Sequence, residues 1–144
     1  MNDPVKGGEL TKAQISQGAD VIYAAAGGTG VGVLQAAADA DVYSIGVDSN
    51  QNHLHPGSVL TSMLKRVDVA VYEAMTAGDS LETGKFQVLG LAEEGVGYAV
   101  DENNEALITD DMRAEVEAAR SAIIDGSLDV VAYYDNDSCP AHQF

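Results

Sequence analysis

One continuous stretch, residues 18–65, restricts most strongly how this chain can fold. An apolar segment at Ala19–Ala25 leads into a glycine turn at Gly27–Gly30, a helix of small residues at Val31–Asp39 and a second apolar segment at Val42–Val47. Segments that are mostly apolar in this way are typical of strands buried on both faces of a parallel sheet. Their alternation with a helix at short range predicts right-handed β-α-β units, and therefore an α/β fold with a Rossmann-like parallel sheet.

Apolar periodicity and turn-forming residues predict further elements on both sides of this stretch. Leu10, Ala13 and Ile15 form the apolar face of a predicted first helix, which Gly18 ends. With 144 residues and no interdomain linker, we expect one domain over residues 1–134 and a polar tail over residues 135–144. The other predicted elements are strands at Ser58–Leu64, Phe86–Leu91 and Gly95–Val100 and helices at Val5–Gln17, Val67–Thr76 and from Thr109 or Asp110 to Ile124.

Charge is the unusual feature of the composition. The chain has 23 acidic and 7 basic residues, which give a formal net charge of −16. Such a surface repels nucleic acid, so we exclude a nucleic-acid partner. Because the acidic residues are spread along the chain, they indicate a solvated acidic coat like that of proteins that work in high salt.

Other sequence features exclude a disulfide framework and a membrane span. A single cysteine, Cys139, cannot form an internal disulfide or a four-thiolate metal site. The chain has no apolar run of the length that a transmembrane helix requires. Its polar first residues lack the apolar region of a secretory signal, so we expect none in the chain as given.

The first candidate binding element is the glycine turn, with Gly27 and Gly28. In an open α/β sheet, ligands bind at the carboxyl ends of the strands, and backbone amides at the start of the next helix can donate to them. The turn does not match the dinucleotide fingerprint, because Val33 stands where a further glycine is required, and no Lys-Ser or Lys-Thr pair follows as in a phosphate loop. A plain strand-to-helix turn is the alternative to amide binding.

Two charged side chains follow the next predicted strands. Asp48 comes directly after the apolar segment that ends at Val47, where a carboxylate can accept two hydroxyl groups of a ribose or can cap the loop. Lys65 and Arg66 are adjacent cations in a chain with 7 basic residues, and they either donate to a ligand or pair with a nearby carboxylate. Neighbours on a strand point to opposite faces, so at most one of them enters a given pocket.

The patterns that catalysis or metal binding would require are missing. His53 and His55 lie two apart in a loop, and the chain has neither an HExxH nor a GxSxG pattern. We therefore expect no metal, no cofactor and no enzymatic activity. Two alternatives stay open: a small flavodoxin-like, nucleotide-dependent enzyme that uses the glycine turn, and a regulatory domain that kept a binding fold.

Four segments resemble one known family in their order and spacing. They read GADVIYAAAGGTG, IGVDSNQ, PGSVLTSMLKRVDVAVYEA and GLAEEGVGYA, and the match runs from about Asp3 to Gly126. The family is the basic membrane protein family of substrate-binding lipoproteins of ABC transporters, which includes purine-nucleoside receptors. The resemblance implies a type I periplasmic-binding-protein fold, in which two Rossmann-like lobes close on a ligand. It implies only part of that fold here, without the N-terminal lobe.

The resemblance also implies a function and a role for each candidate residue. Gly27 or Gly28 would offer backbone amides to the ligand, Asp48 would hold ribose hydroxyls, and Lys65 would donate to the ribose or base region. The chain would be a non-catalytic module that binds a nucleoside at the outer face of the plasma membrane, for delivery to an ABC permease. A chain with only half of the cleft would make only part of the contacts, so we expect weak or no binding by the chain alone. The missing lobe would leave an apolar face uncovered, so we also expect self-association or assembly with that lobe.

Overall fold

A computed structural model describes residues 2–82 and 84–131 of the chain. The chain divides into two compact units, Met1–Asp110 and Asp111–Phe144, and the strands of the described residues all lie in the first. Short 3-10 turns lie at Gly27–Thr29, Asn52–Leu54 and Gly78–Ser80. The helices and strands are α1 (Pro4–Ser16), β1 (Val21–Tyr23), α2 (Gly30–Asp39), β2 (Tyr43–Gly46), β3 (Val59–Lys65), α3 (Val67–Ala77), β4 (Val96–Tyr98) and α4 (Asp110–Asp125).

The four strands form one mixed sheet in the order β1-β2-β3-β4. The first three are parallel, with Val21 opposite Tyr43 and Ser44 opposite Val59, so the predicted α/β fold with a Rossmann-like parallel sheet is confirmed for them. β4 is antiparallel to β3, and its first residue, Val96, lies opposite Lys65. β4 therefore starts at the end of the sheet where β3 finishes. A parallel strand would instead have to start at the opposite end.

β1 is shorter and more exposed than the sequence predicted. The predicted strand covered Ala19–Ala25 with both faces buried, whereas the strand of the structure has 3 residues. Ile22 is buried, but its neighbour Tyr23 is 52 % exposed. β1 lies at the edge of the sheet, beside β2 alone, and an edge strand needs less cover than a central one.

The first helix packs through small residues and not through the apolar face that we predicted. α1 packs against α2, and its buried residues are Gly7 and Thr11, whereas Leu10 is 57 % exposed. The two backbones are in contact, because a Cβ atom built on Gly32 would overlap the carbonyl group of Pro4. Large side chains have no room in such a contact, which explains why Leu10 points away from it.

The segment after β3 is apolar but uncovered. α3 has the predicted position and no buried residue, and its Met75 is 78 % exposed. The predicted strand at Phe86–Leu91 is wrong, because this segment pairs with no strand and Phe86 is fully exposed. A strand needs a hydrogen-bonded neighbour, and β4 takes the place beside β3.

The second unit begins with α4, which ends one residue before Gly126, close to the predicted bounds. The predicted domain boundary at residue 134 and the tail at residues 135–144 lie outside the described residues. Within residues 2–82 and 84–131, no helix combines the length and the apolar character of a membrane span.

Candidate ligand-binding site

Three neighbouring strands present polar side chains at one edge of the sheet, which we call the carboxyl edge. Because β1, β2 and β3 are parallel, their carboxyl ends meet there. Tyr23 ends β1, Asp48 follows β2 by two residues, and Lys65 ends β3. This is the place at which open α/β sheets bind ligands.

Asp48 and Lys65 form an ion pair at this edge. The Lys65 Nζ lies 2.7 Å from the Asp48 Oδ1, and the side chains are 58 % and 50 % exposed. The Lys65 backbone N–H also donates to the Asp48 carbonyl oxygen, at 3.0 Å. The hydrogen bond to Asp48 and the charge of its carboxylate raise the pKa of the Lys65 ammonium, with a smaller contribution from Tyr23. The structure thus brings together the two charged residues that the sequence singled out separately.

The backbone of Asp48 has an uncommon conformation. Its φ is 72°, in the left-handed region that glycine, asparagine and aspartate enter more readily than other residues. This conformation turns the chain out of β2, so that both the carbonyl group and the carboxylate of Asp48 meet Lys65.

The second cation, Arg66, lies outside the Asp48–Lys65 pair. Its guanidinium donates to both carboxylate oxygens of Asp68, at 3.1 and 3.0 Å. The same carboxylate raises the pKa of Arg66, and the guanidinium lowers the pKa of Asp68. We predicted that at most one of these two cations enters a given pocket, and the structure pairs Lys65 and Arg66 with different carboxylates.

The glycine turn follows β1 and therefore begins from the same edge. Gly27 has a φ of 55° in the 3-10 turn before α2, and both Gly27 and Gly28 are exposed. The N-terminal residues lie against the turn: a Cβ atom on Gly28 would overlap the side-chain amide of Asn2, and the Asp3 N–H donates to the Thr29 Oγ1 at 2.9 Å. Among the described residues, no hydrogen bond or ion pair joins the turn to the Asp48–Lys65 pair.

The loop that carries Asp48 is anchored to β2 and β3, which the sequence analysis missed. The Gln51 side-chain oxygen accepts from the Val47 N–H at 2.8 Å, and the Gln51 N–H donates to the Ser62 Oγ at 3.0 Å. Ser62 in turn donates to the Asn52 Oδ1 at 2.8 Å, and both of these residues are fully buried. The loop is therefore fastened a few residues beyond Asp48.

A second missed residue, Asp101, holds the same loop from the other side. The side-chain amides of Asn50 and Asn52 donate to its Oδ2 at 2.6 and 3.1 Å. The N–H and the side-chain amide of Asn103 donate to its Oδ1 at 2.8 and 2.9 Å. These donors, Asn50 first, lower the pKa of Asp101 to about 2. The sequence does show two polar runs, at residues 50–52 and 101–104. It gives no sign that the two runs contact each other.

We also searched the described residues for a metal site and for a second cavity. No group of three or more His, Cys, Asp or Glu among them is arranged to hold a metal ion, and Cys139 lies outside them. A cavity of about 330 Å³ lies between the end of α3 and residues 80–82 and 85–87, and it shares no residue with the carboxyl edge.

The parallel strands and the helices between them define an α/β domain, and comparison with solved structures identifies its fold. A solute-binding protein of an ABC transporter system from Aeropyrum pernix superposes with a TM-score of 0.79 at 29 % identity. The match covers 94 % of this chain and 46 % of that one. The fold is therefore a partial periplasmic-binding-protein fold.

Sequence relatives give the family. The Bmp family model, described as ABC transporter substrate-binding protein PnrA-like, matches residues 1–129, so the chain belongs to the Bmp family. Basic membrane protein D of Borreliella burgdorferi is 42 % identical over 60 % of this chain and 27 % of that protein. An uncharacterized lipoprotein of Pyrococcus abyssi is 40 % identical over 58 % of this chain and 22 % of that protein. The chain spans less than half the length of each of these relatives.

Proposed function

We propose that this chain is a solute-binding module of an ABC importer and that it binds the ribose of a purine nucleoside without catalysis. The observation that carries the proposal is the Asp48–Lys65 pair, which lies exposed at the carboxyl edge of the sheet. The family supports a small-molecule ligand and a permease partner. The name of the Pyrococcus relative, an uncharacterized lipoprotein, supports attachment to a membrane through a lipid. We propose that this attachment is at the outer face of the plasma membrane.

The chemistry of the pair suits a sugar. A ribose has neighbouring hydroxyl groups that each donate and accept, and Asp48 and Lys65 supply an acceptor and a donor 2.7 Å apart. The pair contributes little to stability because it is exposed, so a ligand can take over its hydrogen bonds without unfolding the loop. In this proposal, the amides of Gly27 or Gly28 bind a further acceptor on the ligand.

We expect the affinity of the isolated chain to be low. The chain covers 46 % of its solved relative from Aeropyrum. In this proposal it supplies one wall of a cleft and only part of the contacts. Submicromolar binding of guanosine or inosine in molar salt would contradict this expectation.

Ligand titration followed by amide NMR tests the function. We expect guanosine, inosine and adenosine to shift resonances near Asp48 and Lys65 in molar KCl, and 2′-deoxyguanosine and free guanine to bind several-fold more weakly. Asp48→Asn and Lys65→Met should abolish the shifts. The matched control is Asp20→Asn, because Asp20 precedes β1 and lies at the opposite edge of the sheet. Equal binding of ribose and deoxyribose compounds, or unchanged binding by both site variants, would refute the proposal.

A further inference from the structure

The Asp101 carboxylate connects two loops that are about 50 residues apart in the sequence. It accepts from Asn50 and Asn52 in the loop after β2, and twice from Asn103 in its own loop after β4. The Asn103 carbonyl oxygen also accepts from the Gly57 N–H at 3.1 Å. We call Asn50, Asn52, Ser62, Asp101 and Asn103 the Asp101 network.

The segment that contains Asp48 is held at both ends, by the pairing of β2 in the sheet at one end and by the Asp101 network at the other. One end is β2 itself, and the other is the Asn50–Asn52 turn, in which the Asn52 N–H donates to the Asn50 Oδ1 at 3.0 Å. Only Ser49 separates Asp48 from this turn. The left-handed backbone of Asp48 is unfavourable for most residues, and such conformations persist where the surroundings hold them in place.

We propose that Asp101 is a positioning residue, which holds the loop after β2 so that the Asp48 carboxylate stays beside the Lys65 ammonium. Among the described residues, no hydrogen bond or ion pair joins Asp101 to either member of the pair, and its side chain accepts only from the two loops. Its consequence for ligand affinity rests on the proposed function, whereas its effect on the ion pair does not.

A carboxylate is required at this position because its neighbours offer only donors. The Asn52 Oδ1 already accepts from Ser62, and the Asn50 Oδ1 already accepts from the Asn52 N–H. Both asparagines must therefore turn their NH₂ groups towards residue 101. An asparagine at position 101 has one acceptor oxygen in place of two, and its own NH₂ group would face these donors or those of Asn103.

Titration of Lys65 by ¹³C NMR of its Cε tests the proposal without any ligand. In the wild-type chain, the hydrogen bond to Asp48 raises the pKa of Lys65, and Asp48→Asn should lower it. We expect Asp101→Asn to lower this pKa by a similar amount, although Asp101 lies outside the pair. A variant that was merely less stable would keep the wild-type pKa in its folded molecules.

The matched control is Asp39→Asn. Asp39 also accepts from a side-chain amide, that of Gln35 at 2.8 Å, and it ends α2 at the opposite edge of the sheet. This control removes the same charge and should leave the Lys65 pKa unchanged. The proposal would be overturned if the Lys65 pKa in Asp101→Asn equalled that of the wild-type chain, or if Asp39→Asn lowered it by the same amount. It would also be overturned if Asp48→Asn did not lower the Lys65 pKa.

The nucleoside titration separates this proposal from the proposed function. If the wild-type chain binds ribonucleosides, Asp101→Asn should weaken binding several-fold, and equal binding by the two proteins would count against the positioning role. If the wild-type chain binds no nucleoside even at the highest soluble concentration, ribose binding by this chain is refuted, and the Lys65 titration still decides whether Asp101 positions Asp48.

Discussion

At the scale of single residues, Asp101 is the carboxylate whose protonation should matter most for folding. Its pKa of about 2 in the folded chain lies below the value of about 3.9 expected for an unfolded aspartate. A lowered folded pKa means that the contribution to stability is complete above about pH 4 and is lost as the pH falls towards 2.

We therefore expect Asp101→Asn to lower the free energy of unfolding at pH 7. The difference in this free energy between the wild-type chain and the variant should shrink as the pH falls to 2. Urea unfolding of the wild-type and variant chains at pH 7, 4, 3 and 2 measures this difference. Asp20→Asn supplies the background effect of losing one negative charge. A difference between wild type and Asp101→Asn that stays constant across the series would contradict the prediction.

The sequence pointed to Asp48 and Lys65 as candidate binding residues, but it did not reveal that Asp101 holds the loop beside them. The difference has a physical reason. The pair follows from one local rule, that polar residues directly after buried strands collect at the same edge of a parallel sheet. Asp101 instead acts through Asn50 and Asn52, which lie about 50 residues away in the sequence. Only the folded backbone, with β4 returning beside β3, brings those residues together.

At the scale of elements, the contact between α1 and α2 depends on the absence of side chains. A methyl group on Gly32 would overlap the Pro4 backbone, which cannot move as the end of a flexible side chain can. We expect Gly32→Ala to destabilise the chain by about 1–3 kcal/mol, as overpacked cores do. Gly97→Ala is the control, because a Cβ atom there meets nothing within 4 Å. Chemical unfolding measures both, and equal stability of the two variants would refute the packing argument.

The helices themselves were easier to predict than their buried faces. The bounds of α2, α3 and α4 agree with the sequence to within about one or two residues, because caps and periodicity are local signals. The buried face of α1 could not be found in this way. Hydrophobicity favours Leu10, whereas the close backbone contact selects Gly7 and Thr11.

The apolar face of α3 gives a prediction about association. Val71 and Met75 lie one turn apart and are exposed, together with Phe86 in the following segment. We expect the chain to self-associate in molar KCl, where charge repulsion is screened, and Val71→Lys with Met75→Lys to keep it monomeric. Light scattering measures the mass. Leu10→Lys is the control, because Leu10 is exposed on α1, and it should leave the association unchanged. A strictly monomeric wild-type chain would contradict the prediction.

At the scale of the whole molecule, the net charge of −16 should make folding depend on salt. The Debye length falls from about 10 Å at 0.1 M salt to about 3 Å at 1 M, which screens repulsion between exposed carboxylates. We expect the melting temperature to rise steadily between these two KCl concentrations. A solution of sucrose with the same osmolality is the control for solvent exclusion, and a melting temperature that KCl fails to raise above that control would refute the prediction.

If this chain binds a nucleoside as proposed, the pairing of both cations near the end of β3 affects whether it also binds the phosphorylated form. Lys65 is neutralised by Asp48 and Arg66 by Asp68, so neither leaves an unbalanced positive charge to receive a phosphate group. An uncharged nucleoside meets no repulsion there, whereas its 5′-monophosphate would bring two more negative charges towards an already anionic protein. Selection for the dephosphorylated compound would then come from the field of the whole chain and would fade as ionic strength increases.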